Sequence, residues 1–258
     1  MNPGFSQGYC PTIYGPVQSR RHGRSLGINL GVAGQKICSW GCIYCQCGMG
    51  ERRAIRSDEL VPSERDLLEL VRDKMNEGVD FDSITFAGNS EPTAHPEFYS
   101  IVKSLLLLRK QFSQSWVLNC LSNGSELDRN EVVRACDLLD ETWIKLDCAL
   151  DELFLRHNRP IPKVGGVSNH VGRIEKLHRV FIQTLVWRCP SNPQVSNWTE
   201  KNQNALLSLY CRLRPEKIHL TTTARAPAIP GILPVKANEL VEFSRKITGL
   251  GLEVEVFP

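Results

Sequence analysis

Cys38, Cys42 and Cys45 stand in the stretch Cys-Ser-Trp-Gly-Cys-Ile-Tyr-Cys, three thiols spaced CxxxCxxC. Thiolates held this closely select an iron-sulfur cluster, zinc or copper, and three of them fill three corners of a tetrahedral ion or of a cubane cluster. The fourth position is left for something else. Cys47, two residues on, offers one answer: a closed four-cysteine zinc site or a fully ligated structural cluster. Five further cysteines, Cys120, Cys136, Cys148, Cys189 and Cys211, are isolated from one another and read as small core hydrophobes.

Other residues capable of chemistry lie farther along. Gly88-Asn89-Ser90-Glu91-Pro92-Thr93 combines a mobile backbone with a carboxylate, which either caps the next helix or holds a ligand. Asn123, in Ser122-Asn123-Gly124, is a turn residue or a ligand contact. Asp147 caps local amides or pairs with Lys145, two residues earlier and so on the same strand face. Tyr44 is a core aromatic or a ring that stacks on a ligand. Gln183 and Thr221 are candidates for an interior face, and His95, before Pro96, is a helix-start residue. Arg20, Arg21, Arg24, Arg52, Arg53 and Arg56 flank the cysteine loop; solvated charge is the default, and attraction of a phosphate-bearing substrate the alternative.

The elements that must position these residues follow a repeating pattern. Strands are predicted over 25–30, 83–87, 116–121, 142–146, 181–187 and 218–222, with helices between them. Ser63 with Asp66 signals a helix start and Gly78 its end; Phe98, Ile101, Val102, Leu105 and Leu106 form the apolar face of a helix over 96–110. Asp128 is predicted to cap a helix running to Leu139, and a loop holding Asn158-Arg159-Pro160 and Gly165-Gly166 to lead into a helix over 169–179. Helices over 198–213 and 237–248 and a strand over 252–257 complete the pattern. Repeated βαβ units require parallel pairing, and too few units are present for a closed eightfold barrel. The expected fold is therefore α/β, an open, partial (β/α)6 barrel resembling part of a TIM barrel. Ligands bind such sheets at the carboxyl ends of the strands, where the cysteine loop, Gly88–Thr93, Ser122–Gly124, Asp147 and Arg225 all fall.

The 258 residues suit a single domain spanning 1–258, divided into an extension over 1–19, a core over 20–230 and a C-terminal helix and strand over 231–258. With 41% hydrophobic and 23% charged residues, the composition excludes disorder and fibrous repeats, and a net charge of +3 does not by itself imply nucleic acid. Met1 to Gln18 lacks the pattern of a signal peptide, and no run approaches the roughly 18 apolar residues of a membrane helix. Ten cysteines without an export signal point to a reducing, cytoplasmic setting with no membrane partner.

These residues resemble the radical S-adenosylmethionine (radical SAM) enzymes. The CxxxCxxC loop with Tyr44 before its third cysteine is similar to that superfamily's cluster loop. The resemblance implies a [4Fe-4S] cluster on Cys38, Cys42 and Cys45, its fourth iron chelating S-adenosylmethionine. Asn89-Ser90-Glu91 stands where the family carries a Gly-Gly-Glu motif; both glycines are replaced, Gly88 lies one place earlier and Glu91 is kept. Gly88, Asn89, Ser90, Glu91, Tyr44, Asn123 and Asp147 are the cofactor-binding residues that follow. More narrowly, Gly15-Pro16-Val17, Ser19-Arg20-Arg21, Gly23-Arg24-Ser25-Leu26-Gly27, Glu91-Pro92-Thr93 with His95-Pro96, and Asn158-Arg159-Pro160 resemble the stand-alone group related to tRNA wyosine synthetases. The implied activity is reductive cleavage of S-adenosylmethionine to a 5′-deoxyadenosyl radical that takes hydrogen from a substrate, with flavodoxin or ferredoxin as electron donor. A nucleotide or RNA substrate is one expectation. A glycyl-radical activase acting on a partner protein is another, and a non-catalytic metal-binding module a third. No second cysteine cluster is visible, so auxiliary iron-sulfur sites are not expected.

Overall fold

The computed structural model describes residues 10–258; the first part of the polar N-terminal segment, residues 1–9, lies outside the described residues. In chain order the strands are β1 (Ile13–Ser19), β2 (Gly23–Ile28), β3 (Ile37–Cys38), β4 (Glu51–Arg52), β5 (Ser83–Phe86), β6 (Val117–Ser122), β7 (Glu141–Lys145), β8 (Phe181–Arg188), β9 (Lys217–Thr222), β10 (Leu233–Pro234) and β11 (Val254–Phe257). The helices are α1 (Glu64–Asn76), α2 (Phe98–Gln111), α3 (Asn130–Leu138), α4 (Asp151–His157), α5 (Val167–Ile174), α6 (Glu200–Leu213) and α7 (Ala237–Thr248).

One curled sheet runs in the order β1-β2-β5-β6-β7-β8-β9-β11, with β10 pairing β8 off this path. From β2 to β9 all neighbours are parallel, and β11 joins β9 in parallel. This is the open half-barrel expected from the repeating units. The two faces of the sheet differ in kind. Leu26, Ile28, Ile84, Phe86, Leu118, Ile144, Ile182, Ile218 and Leu220 join one core with helical residues such as Leu67, Val71, Ile101, Leu105 and Val132. Because strand side chains alternate, the other face, the lumen, presents Ser25, Thr85, Asn119, Lys145, Gln183, His219 and Thr221. Burial of the apolar face holds the barrel together, and the polar face turns inward.

Helix α1 starts as read: Ser63 Oγ accepts the Asp66 amide, and Gly78, at φ +70°, follows its end. Three details differ from expectation. Asp128 is not a cap; its carboxylate takes Arg173 Nε at 2.6 Å and Lys176 Nζ at 2.7 Å, and α3 begins at Asn130 without a side-chain cap. The loop before Asn158 contains α4, a short helix that turns only Phe154 and His157 fully inward and so shows no apolar stripe. Cys211 is exposed on α6 rather than buried. Residues 13–19, read as an extension, form the antiparallel edge strand β1, whose Tyr14 ring lies 2.1 Å from where a Cβ on Gly27 would stand. Among the described residues no helix is long and apolar enough to cross a membrane.

Candidate functional site

The cysteine loop follows β2 at the carboxyl rim. Its ends are pinned by β3 and β4, where the Glu51 amide donates to Lys36 O at 2.8 Å and the Arg53 amide to Cys38 O at 3.1 Å. Its middle is sewn to Asn158-Arg159-Pro160: Gly41 N donates to Arg159 O at 3.1 Å, Ile43 N to His157 O at 3.0 Å, and Ile161 N returns to Ser39 O at 2.9 Å. Trp40 anchors the loop from below, edge-on to Phe154 at 5.1 Å and to His170 at 5.2 Å. Backbone pairing and one buried indole thus fix where the three sulfurs point.

Each sulfur has a distinct setting. Cys38 Sγ receives the Trp40 amide at 3.5 Å and Asn123 Nδ2 at 3.6 Å. Cys42 Sγ is 3.9 Å from Asn158 Nδ2 and 3.7 Å from Asn158 O. Burial pushes the Cys38 and Cys42 thiols up, Cys42 to about 12. Cys45 moves the other way, because Cys47 hydrogen-bonds to it and Lys36 stands near. Burial opposes the charge of Lys36, yet Cys38, Cys45, Cys42 and Cys47 together raise its pKa. The fourth thiol, Cys47, is buried and its Sγ also lies 3.5 Å from Gly88 O. Among the described residues no His, Cys, Asp or Glu groups are gathered to grip a single metal ion.

Tyr44 and Asp147 form one knot. The Tyr44 hydroxyl donates to Asp147 Oδ2, and Asn158 Nδ2 donates to both, at 3.0 Å and 2.9 Å. Asp147 Oδ1 accepts the Leu185 amide at 2.8 Å and Lys145 Nζ at 2.8 Å, which realises the anticipated Lys145 pair. The Tyr44 ring rests on Trp187, centroids 4.8 Å apart, with Lys145 Nζ 5.1 Å from its centre. Burial, and then the Asp147 charge, push the phenol well above its ordinary pKa.

Glu91 is both cap and crosslink. Oε1 accepts Thr93 N at 3.1 Å, Thr93 Oγ1 at 2.6 Å and Ser122 Oγ at 2.7 Å, while Oε2 accepts Asn123 N at 2.7 Å. Burial pushes its pKa up against these donors. Through it the loops after β5 and β6 become one unit, and Asn123, whose Nδ2 also reaches Ser39 Oγ at 2.9 Å, ties that unit to the cysteine loop. A Cβ on Gly88 would fall 2.1 Å from Asn29 Oδ1, so only glycine lets the strip approach. Asn89 Nδ2 donates to Gln35 O at 2.8 Å, and the buried Ser90 Oγ has no partner among the described residues.

Sequence reasoning quoted Asn158 only as part of a motif and missed Lys36 altogether. The signal for Asn158 was its place between a helix end and a proline, where a side chain turns back toward the loop it follows. His95 is structural, as read, with Nε2 2.9 Å from Pro62 O and Nδ1 accepting Glu97 N at 3.1 Å. The basic flanks are largely consumed internally. Arg24 pairs with Asp80 and Asp82, Arg53 with Glu51 and Glu59, and Arg56 with Asp58 and Glu59. Two surface hollows, about 410 Å³ beside α1 and about 370 Å³ between Val32 and Leu60, are lined by none of the three cysteines, and only the second borders the Arg53 and Arg56 pairs.

A half-barrel of this topology, with its thiol loop at the carboxyl rim of the first parallel strand, has the fold of the radical SAM enzymes. It superposes on TYW1 with a lysine-pyruvate adduct bound, with TM-score 0.63 and 14% identity over 88% of this chain and 73% of that one. The radical SAM methyltransferase of Sphaerobacter thermophilus gives 0.61 and 16% over 90% and 65%. Streptococcus suis SuiB bound to S-adenosylmethionine gives 0.63 and 11% over 89% and 50%. The chain belongs to the UPF0026 family. It is 30% identical over 243 residues to a UPF0026 protein of Methanocaldococcus jannaschii, 89% of this chain and 68% of that one. A Synechocystis relative is 27% identical over 88% of this chain and 81% of its own. A Helicobacter pylori relative is 31% identical over 59%, and the match spans only 48% of its length. No family model matches the chain.

Proposed function

We propose that the chain is a radical SAM enzyme that holds a [4Fe-4S] cluster on Cys38, Cys42 and Cys45 and binds S-adenosylmethionine beside it. The observation that carries this reading is the donor set: three thiols at the rim of a polar barrel, two of them already met by N–H groups from Trp40, Asn123 and Asn158. Hydrogen bonds to cluster sulfurs are how proteins tune iron-sulfur potentials. The orphaned Ser90 Oγ and the carboxylate edge Glu91 Oε2, which takes one donor, supply acceptors for the amino group of the cofactor's methionine half.

When bound, the two cofactors supply one-electron reductive cleavage to a 5′-deoxyadenosyl radical and hydrogen abstraction from substrate, with a flavodoxin or ferredoxin as electron source. The chain's own residues orient and shield. Glu91 and Asn123 lock two rim loops to the cysteine loop, the Tyr44–Asp147–Asn158 knot fixes its far side, and Gly88 permits close backbone approach. Lys36 keeps a positive charge beside the thiolates and lowers the cost of holding them deprotonated.

The self-pairing of Arg53 and Arg56 reduces the free charge beside the cysteine loop for an RNA backbone, which supports a substrate that enters the lumen. Anaerobic reconstitution with iron and sulfide, followed by reduction with dithionite in the presence of S-adenosylmethionine, tests the function. Formation of 5′-deoxyadenosine and methionine is expected; a reconstituted cluster that yields neither rejects it.

A further inference from the structure

The lumen contains polar groups that the fold does not use. Asn119 is fully buried on β6, yet neither its Oδ1 nor its Nδ2 has a partner among the described residues. Gln183 Nε2 on β8 is likewise buried and unpartnered. The register sets these side chains on one face: Thr85, Asn119 and Glu141 lie side by side across β5, β6 and β7, and Lys145, Gln183 and His219 across β7, β8 and β9. A buried amide left unsatisfied is costly, so these side chains weaken the fold that carries them unless something binds them.

Aromatic rings fill the lumen's floor, His219 in the same row as Gln183. Trp143 stacks on His219 with centroids 3.4 Å apart, and Phe181 and Phe257 pack around this pair at 5.2 Å and 4.9 Å. From the β1–β2 turn comes Arg21. Its guanidinium has no hydrogen-bond acceptor and no carboxylate partner among the described residues, as is also true of the exposed Arg52, whereas Arg20, Arg24, Arg53 and Arg56 are engaged. Its charge reaches His22 and His219 on the floor, and burial lowers its own pKa to about 10. Arg225, held at 2.6 Å by Gln46 of the cysteine loop, adds to the positive field. A half-buried, unpaired cation near the histidines of this lumen lacks an anion with hydrogen-bonding groups of its own.

We propose that the lumen binds a small ligand through an anionic group, carboxylate or phosphate, held by Arg21, with Asn119 and Gln183 hydrogen-bonding a second polar group of the same molecule. Naming that ligand the substrate rests on the radical-enzyme reading; its binding does not.

The test uses the full chain with its cluster reconstituted, under anaerobic conditions, titrated with N-acetylglycine, with inorganic phosphate and with the neutral N-acetylglycinamide. One of the two anions is expected to bind and to raise the unfolding midpoint, and the stronger identifies the anionic group. Arg21→Gln should weaken it by about tenfold to a hundredfold, the loss of a charged hydrogen bond, while Arg65→Gln on the outside of α1 leaves it unchanged. Asn119→Leu gives a signature that a structural asparagine would not: weaker binding together with a more stable chain, since it removes two unpartnered atoms. It also serves if Arg21→Gln does not fold. Binding of neither anion, equal binding of the neutral amide, anion binding that survives Arg21→Gln, or an Asn119→Leu chain of lower stability overturns the proposal. Absence of 5′-deoxyadenosine from the same preparation would reject the cofactor reading alone and leave the titration standing.

Discussion

The side-chain amide of Asn158 donates to the Tyr44 hydroxyl at 3.0 Å, and by that contact a residue after α4 governs the last turn of the cysteine loop. The same nitrogen reaches Asp147 at 2.9 Å and lies 3.9 Å from Cys42 Sγ, so three site residues share one donor. Asn158→Leu should destabilise the chain by about 2 kcal/mol, because Asp147 and Tyr44 each lose a buried partner. Urea denaturation of the apoprotein measures this, and iron retained per chain should fall in parallel.

Cys38, Cys42 and Cys45 should not be interchangeable with Cys47. Each of the first three changed to alanine is expected to abolish iron and sulfide incorporation, whereas Cys47→Ala retains both. Elemental analysis after anaerobic reconstitution decides this; loss of the cluster in Cys47→Ala would restore the four-cysteine site that the sequence left open.

Glu91→Gln tests the crosslink of the β5 and β6 loops. The amide turns two N–H groups toward a site where Thr93, Ser122 and Asn123 already donate. Donor facing donor should cost about 3 kcal/mol, read as a lowered midpoint in thermal denaturation. Affinity for S-adenosylmethionine is expected to fall as well, measured separately by equilibrium dialysis.

Acid should weaken the fold through His170. Burial lowers its pKa to about 4, its Nε2 lies 2.7 Å from Lys145 O and its ring stacks on Phe154. Since the unfolded chain takes up this proton near pH 6.5, stability is complete above that pH and declines by about 1.4 kcal/mol per unit down to about pH 4. His170→Gln should flatten this slope; urea midpoints of the apoprotein between pH 7 and 4 check it.

The barrel was legible because short strand-like stretches such as residues 26–30 and 83–86 place apolar side chains at alternate positions between helical segments, and because βαβ spacing permits few arrangements. The cysteine loop was legible from thiol spacing. Asp128 misled because an acidic residue before a helix looks like a cap whether it bonds to its own helix or, as here, to Arg173 and Lys176 of another. Asn158, Lys36 and Arg21 could not be assigned since their roles depend on contacts across the chain: Lys36 meets thiols folded back over it, and Arg21 acquires meaning only from the carboxylates it lacks. The replacement of both motif glycines spoke against close backbone approach; that Gly88 lies tight against Asn29 was knowable only from the fold.

One consequence of the β1 hairpin concerns the half-barrel's own survival in solution. An unclosed sheet ends in unpaired backbone groups, a template on which further strands can add. On this edge β1 carries Pro16, which has no amide to donate, and its register breaks between Tyr14 and Val17. At the other edge β11 is short and bears Glu255. A half-barrel that stays open thereby denies the same opening to another copy of itself.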